Sequence, residues 1–149
     1  MKQKYFQYFV EVTKLTSKLS TCISKQVGCI LIKDNRIIAS SYNGVPSGVK
    51  HCNEIFDKSV LTSKIKRDKH HEWSNNNELH GEANLLSYCG KMGIKTDNGI
   101  LFTSLSPCIT CAKMIFASGI KEIFYLEEYD KDNKGIDFLK QNMIKIELI

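Results

Sequence analysis

GILFTSLSPCITCAKMIFASGIKEIFYLEE, Gly99 to Glu128, decides how the rest of the chain is read. GILFTSL, Gly99 to Leu105, is a short apolar run between turn signals and predicts a buried strand. Pro107 then opens a helix through CAKMIFAS, because its missing N–H costs nothing in a first helical turn, and Gly119 ends it. EIFYLEE, Glu122 to Glu128, is a second strand. A strand, a helix and a strand in succession point to an α/β sheet covered on its faces by helices.

The flanking sequence extends this pattern. Upstream, HGEANLLSYCGKM predicts a helix that begins near His80 and stops between Gly90 and Gly93. VGCILI, Val27 to Ile32, and RIIASSY, Arg36 to Tyr42, face each other across Asp34-Asn35 as a β-hairpin. Residues 5–19 place Tyr5, Phe6, Phe9, Val10, Val12, Leu15 and Leu19 at helical spacing. Downstream, a short helix over Ile136 to Gln141 precedes a last strand, MIKIELI, and this crossover is long enough to bring that strand back parallel. The order is α-ββ-α-β-α-β-α-β in one domain spanning residues 1–149. Between Asn43-Gly44-Val45-Pro46, a turn, and His80 lies a polar stretch, residues 47–77, that reads as an irregular insertion.

Composition narrows the function. The 149 residues are 42% hydrophobic and 25% charged, which is ordinary for a globular domain. A net charge of +5 suits an anionic ligand such as a nucleotide phosphate. It is too modest for a nucleic-acid track, and the densest basic run, Lys64 to Lys69, reads as a solvated loop or helix face. No apolar run approaches the length of a membrane span, and Glu11 and Lys14 interrupt any signal-peptide core. The expectation is a cytoplasmic protein, in a host cytoplasm if viral. There, six cysteines imply metal or catalysis rather than disulfides.

A CxxC pair, Cys108 and Cys111, can be part of a zinc site, a redox dithiol or two buried thiols. Residues i and i+3 on a helix are neighbours, so both sulfurs can chelate one ion from the first turn. The helix N-terminus favours their thiolate forms. LHGEAN supplies a third ligand, His80, and leaves a fourth position for water, as a catalytic zinc requires. Two thiolates cancel the charge of Zn²⁺ and weaken its acidifying effect, so a nearby base matters. Glu82 is placed to be that base and take a proton from the water. A redox dithiol of the thioredoxin kind would follow the first strand, whereas this pair comes late.

The pattern H-x-E…P-C-x-x-C resembles the signature of zinc-dependent nucleobase deaminases. With VGCILIKDNRIIASSYNGVPSG, HCNE, HGEANLL, TSLSPCITCAKMIFASGIKEIFY and EEYDKDNKGIDFL, nearly the whole chain is similar to the deoxycytidylate (dCMP) deaminases of the cytidine deaminase superfamily. The resemblance implies a three-layer α/β fold with a five-stranded mixed sheet whose last two strands run parallel. It implies hydrolysis of dCMP to dUMP for thymidylate synthesis, activation by dCTP with Mg²⁺, inhibition by dTTP, and a homo-oligomer, often a hexamer. HHEWSNNNELHGEANLL, His70 to Leu86, is similar to the bacteriophage type, which holds a further, non-catalytic zinc. Its ligands fall on Cys22, Cys52, His70 and Glu78, with His51 and His71 as substitutes; such an ion would pin the polar insertion.

The same resemblance puts Asn43 of the YNG turn at a sugar hydroxyl, although turn geometry explains it equally well. It puts the carbonyl of Ser106 at the amine and Tyr129 and Lys131 beside the substrate, while Lys25 reads either as a phosphate contact or as an ordinary exposed lysine. Two positions depart from the family pattern: Ser24 stands where many members have arginine, and Gly81 where alanine is common. Cys29 and Cys89 sit in apolar patterns and read as core. Two other functions fit the same residues, a related deaminase acting on dCTP, a free nucleoside or tRNA, and a module whose zinc only holds the fold. No nucleic-acid or membrane partner is expected.

Overall fold

The computed structural model describes residues 3–129 and 133–149. Helix α1 (Gln3–Ser17) leads into the hairpin β1 (Gly28–Lys33) and β2 (Arg36–Tyr42). Helices α2 (Cys52–Ile55) and α3 (Lys64–Asn77) follow, separated by a 3-10 turn (Lys58–Thr62). Then come α4 (Gly81–Met92), β3 (Ile100–Leu105), α5 (Ile109–Ala117), β4 (Glu122–Glu127), α6 (Lys134–Gln141) and β5 (Lys145–Leu148). The hairpin turns on Asp34 and Asn35, both left-handed with φ 51° and 58°, as a tight two-residue turn demands. The side chains of Asp and Asn tolerate that conformation better than most.

The five strands form one mixed sheet in the order β2-β1-β3-β4-β5. β1 is antiparallel to β2 and β3, while β3–β4 and β4–β5 are parallel, so the last two strands run the same way. The period-two alternation of the strands sorts the core onto two faces. Ile30, Ile32, Phe102 and Phe124 point to α1, where they meet Phe6, Phe9 and Val10. Cys29, Leu31, Leu101 and Ile123 point the other way, to Leu85 and Cys89 of α4, Ala112 and Ile115 of α5, and Leu139 of α6. Both Cys29 and Cys89 are core thiols.

The insertion is not irregular. α3 occupies its second half, with Ser63 as N-cap accepting from the Lys66 N–H. It is polar nearly all round, and His70 is its one buried residue. A helix of this kind is stabilised by local caps and by what it is pinned to rather than by an apolar stripe. Here Phe56 packs edge-on against both His70 and Trp73, at ring separations of 5.2 and 5.4 Å. Phe56 lies outside the helix, so no apolar periodicity announces it. Among the described residues, no helix is long and apolar enough to cross a membrane.

Candidate active site and metal clusters

The site forms at the carboxyl ends of β3 and β4, where α4 and α5 begin. His80 is the N-cap of α4 and Cys108 the N-cap of α5, with Cys111 in its first turn. His80 Nδ1 stands 3.5 Å from Cys108 Sγ and 3.5 Å from Cys111 Sγ. Tetrahedral zinc bonded to a sulfur and an imidazole nitrogen sets those atoms about 3.6 Å apart, so this donor set fits zinc without rearrangement. The two thiols share one hydrogen bond, which holds Cys108 well below the usual thiol pKa and Cys111 well above it. The hydrogen bond that the His80 ring donates to the Cys108 sulfur raises His80. A divalent cation takes the place of those shared protons.

Glu82 lies in the first turn of α4 and is only 4% exposed. Burial raises its carboxyl pKa, against the lowering effects of its own backbone N–H and of His80. A carboxyl so placed gives up and takes back a proton more readily near neutral pH than an exposed one. Three contacts fix the start of α4. Ser41 Oγ donates to the Gly81 carbonyl at 2.6 Å, Asn84 Nδ2 donates to Tyr42 O at 2.9 Å, and Gly44 and Leu79 exchange backbone hydrogen bonds. Gly81 packs closely, and a Cβ there would sit 3.0 Å from Cys29 Sγ.

A second cluster lies alongside. Cys22, Cys52 and His70 are all buried, with His70 Nε2 3.2 Å from Cys52 Sγ and 4.0 Å from Cys22 Sγ. Burial pushes the Cys52 thiol up to about 11 and raises Cys22, with Glu78 adding to both. Glu78 receives Ser74 Oγ on one carboxylate oxygen at 2.6 Å, while its other oxygen, Oε1, is buried without a partner. An orphaned anionic oxygen beside two thiols and an imidazole is a cost that a bound cation relieves. This donor set also fits zinc. His51 instead meets Thr21 at the surface, and His71 meets Asn75.

Both clusters open on one cavity of about 720 Å³. Its walls include Cys22, His70, Glu78, His80, Glu82 and Cys108, so five of the expected ligands and the expected base share a single space. Lys25, Asn43, Ser106 and Tyr129 also line it. Ser106 Oγ accepts the Tyr129 N–H at 2.7 Å, and the Lys25 ammonium stands 5.1 Å from the centre of the Tyr129 ring. Asn43 has a scaffold role: Oδ1 accepts the Val27 N–H at 2.7 Å and Nδ2 donates to Lys25 O at 2.9 Å. Its second amide hydrogen and lone pair remain for a ligand. Lys131 falls outside the described residues.

Sequence reading missed the contribution of α3. Lys64 and Arg67 line the cavity instead of a purely solvated face, together with His71, Ser74 and Asn75. The signal was there, in polar residues at the spacing of one helical stripe, but it carries no apolar periodicity.

Residues 2–127 match the family model described as the cytidine and deoxycytidylate deaminase zinc-binding region. The chain is 32% identical over 161 residues to the deoxycytidylate deaminase of Enterobacteria phage T2, covering 89% of this chain and 85% of that one. Two solved structures of the dCMP deaminase from cyanophage S-TIM5 are similar over 100% of this chain. The apo form matches with a TM-score of 0.79 at 31% identity, covering 100% of the phage protein. The form in complex with dCMP and dUMP matches at 0.83 and 33% identity, covering 99% of it. A tRNA:A34 deaminase matches at 18% identity and a TM-score of 0.59, a likeness of fold alone. With His80, Glu82, Cys108 and Cys111 gathered as the motif requires, the chain belongs to the cytidine and deoxycytidylate deaminase family.

Proposed function

We propose that this chain hydrolyses the 4-amino group of dCMP, giving dUMP and ammonia. The observation that carries the reading is the burial of Glu82 in the same cavity as His80, Cys108 and Cys111. A zinc that only held the fold would not need a desolvated carboxylate beside it. The likeness to the phage enzyme solved with dCMP and dUMP supports the choice of substrate.

His80, Cys108 and Cys111 would hold zinc, which when bound acidifies water and so supplies a nucleophile at neutral pH. Glu82 takes one proton from that water and delivers it to N3 of the pyrimidine while the C4–O bond forms. It then moves the remaining hydroxyl proton to the amino nitrogen, the C4–N bond breaks, and C4 is left as a carbonyl. Water and dCMP thus balance dUMP and ammonia. Ser106, buried at the start of the metal-binding segment, offers its carbonyl to the amine, and its hydroxyl holds Tyr129 at the cavity wall. Asn43 meets the sugar and Lys25 meets the phosphate, and the resemblance adds Lys131 as a further substrate residue.

The reading extends to a second zinc held by Cys22, Cys52, His70 and Glu78, supported by the three converging donors and the orphaned Glu78 oxygen. This ion would be structural, tying α3 to the segments that carry Cys22 and Cys52. By resemblance in YNGVPSG, the enzyme is regulated, activated by dCTP with Mg²⁺ and inhibited by dTTP, and it feeds thymidylate synthesis in a cytoplasm. A homo-oligomer, a hexamer by the same resemblance, would cover the large apolar side chains Tyr88, Met92, Met114 and Phe116 that α4 and α5 leave exposed.

Ammonia release measured with dCMP, dCTP, deoxycytidine and CMP, each with and without dCTP or dTTP as effector, tests the reading. Release should be fastest with dCMP. No release from any cytosine nucleotide overturns it.

A further inference from the structure

One face of α3 lines the cavity with side chains whose hydrogen bonds, among the described residues, are local only: Ser74 to Glu78 and Asn75 with His71. Lys64, Arg67, Asp68, His71, Ser74 and Asn75 recur every three or four residues, which places them on one helical stripe, and all of them line the cavity that holds Glu82 and Cys108. The neighbouring positions His70 and Trp73 turn to Phe56, and His70 reaches Cys52 as well. That anchorage fixes the rotation of the helix about its axis. The polar stripe faces the cavity while Trp73 packs on Phe56 away from it, and His70 sits between the two, on Phe56 and on the cavity wall.

The cavity wall carries three cations, Lys25, Lys64 and Arg67, and three carboxylates, Asp68, Glu78 and Glu82. Among the described residues, neither the Lys64 ammonium nor the Arg67 guanidinium has a hydrogen-bond or ion-pair partner. Asp68 is the only carboxylate of the stripe. Lys25 adds a third cation on the wall that carries Tyr129. Of the remaining carboxylates, Glu78 belongs to the cysteine cluster and Glu82 to the chemistry.

We propose that α3 reads the 5′-phosphate of the substrate, with Arg67 as its bidentate contact and Lys64 as the supporting charge, and that this helix selects nucleotide over nucleoside. The inference rests on the reading that the substrate is a cytosine deoxynucleotide. A guanidinium presents a planar fork of N–H donors that matches two phosphate oxygens, whereas an ammonium acts as a point charge. The roles follow from that difference. The polar insertion then has a purpose beyond scaffolding: the cluster that pins His70 also aims Arg67, one helical turn away.

Steady-state kinetics with dCMP and deoxycytidine on the zinc-loaded enzyme test this. The variants are Arg67→Ala, Lys64→Ala and Arg67→Lys, and dUMP and deoxyuridine affinities provide a second readout. Both side chains are exposed on a helix where alanine is favourable, and zinc content and Tm report whether the fold is kept. Arg67→Ala should lower kcat/KM for dCMP about 10-fold or more, mainly through KM, and weaken dUMP to match. Deoxycytidine turnover and deoxyuridine affinity should stay within about twofold. Lys64→Ala should act in the same direction, less strongly, and Arg67→Lys should restore part of the loss. If dCMP and deoxycytidine fall equally, or if neither changes, the proposal is overturned. If the unaltered protein does not turn over dCMP at all, the substrate reading fails and takes this proposal with it.

Discussion

Gly135 in α6 lies so close to Pro107 that a Cβ would overlap the Pro107 carbonyl oxygen and stand 2.9 Å from the Cys108 carbonyl carbon. The partner atoms are backbone, so they cannot swing aside as the end of a side chain could. α6 thus buttresses, from outside the cavity, the loop that presents Cys108. Gly135→Ala should destabilise the protein by about 1–3 kcal/mol and lower its zinc content, measured by thermal unfolding and metal analysis. Gly90 in α4 is the control, because a Cβ there meets nothing within 4 Å. Gly90→Ala should stabilise by about 0.5–1 kcal/mol and leave zinc unchanged.

Glu82→Gln keeps the shape of a buried side chain and removes its proton chemistry. Turnover of dCMP should fall by about 10²–10⁴-fold, with zinc content unchanged. Loss of zinc along with activity would instead mark Glu82 as part of the metal scaffold. The metal-free protein offers a pH test. Burial raises the Glu82 pKa, so the native state holds this proton more tightly than the unfolded chain does. Its contribution to stability is therefore lost as pH rises from the ordinary carboxylate value through the raised one. Glu82→Gln should abolish that loss, so the stability gap between variant and unaltered apo-protein should widen in favour of the variant over that window. Denaturant titrations at several pH values measure it.

Much of the fold was legible because its signals are local. Asp34-Asn35 fixes the hairpin through its own left-handed backbone, and the crossover through α6 makes β5 parallel to β4. The gathering of His80, Cys108 and Cys111 was legible because these residues ride on helix starts, where Pro107 and the HGE sequence mark the position. α3 was not legible. What holds it is Phe56 and two cysteines from segments 18 and 48 residues before His70, contacts that no window of sequence contains. Asn43 shows a different limit: sequence placed it at a turn near the sugar, but only coordinates show both ends of its amide bound to the backbone of Lys25 and Val27.

The two clusters of metal-ligating side chains that open on one cavity should separate under mutation. Cys108→Ser removes a ligand of the site beside Glu82, and turnover should fall below detection while one zinc per chain remains. Cys52→Ser should also leave one zinc per chain, but its main effect should be on Tm and on proteolysis within residues 47–77, because α2 and α3 lose their shared anchor. Metal analysis of the unaltered chain should give two zinc ions. A value of one, unchanged in Cys52→Ser, would remove the second site.

Asn43 holds the scaffold and is proposed to meet the sugar, and its substitution tests both roles. Its amide bridges the Val27 N–H and the Lys25 carbonyl, and its own carbonyl accepts from Ser20 Oγ at 2.8 Å. Asn43→Ala leaves two backbone groups without their partner, which should cost about 1–3 kcal/mol and lower Tm. Because Lys25 and Val27 lie on the cavity wall, the loosened segment should also disturb the wall itself. If the remaining amide hydrogen meets a sugar hydroxyl, the KM values for dCMP and deoxycytidine should rise together, since both carry that sugar. Arg67→Ala should raise only the first. Asn43→Asp sharpens the distinction: it keeps the acceptor for Val27 but turns a donor toward the Lys25 carbonyl into a second acceptor, so Tm should fall here too. A drop in Tm with both KM values unchanged, assayed well below the transition, would assign Asn43 to the scaffold alone.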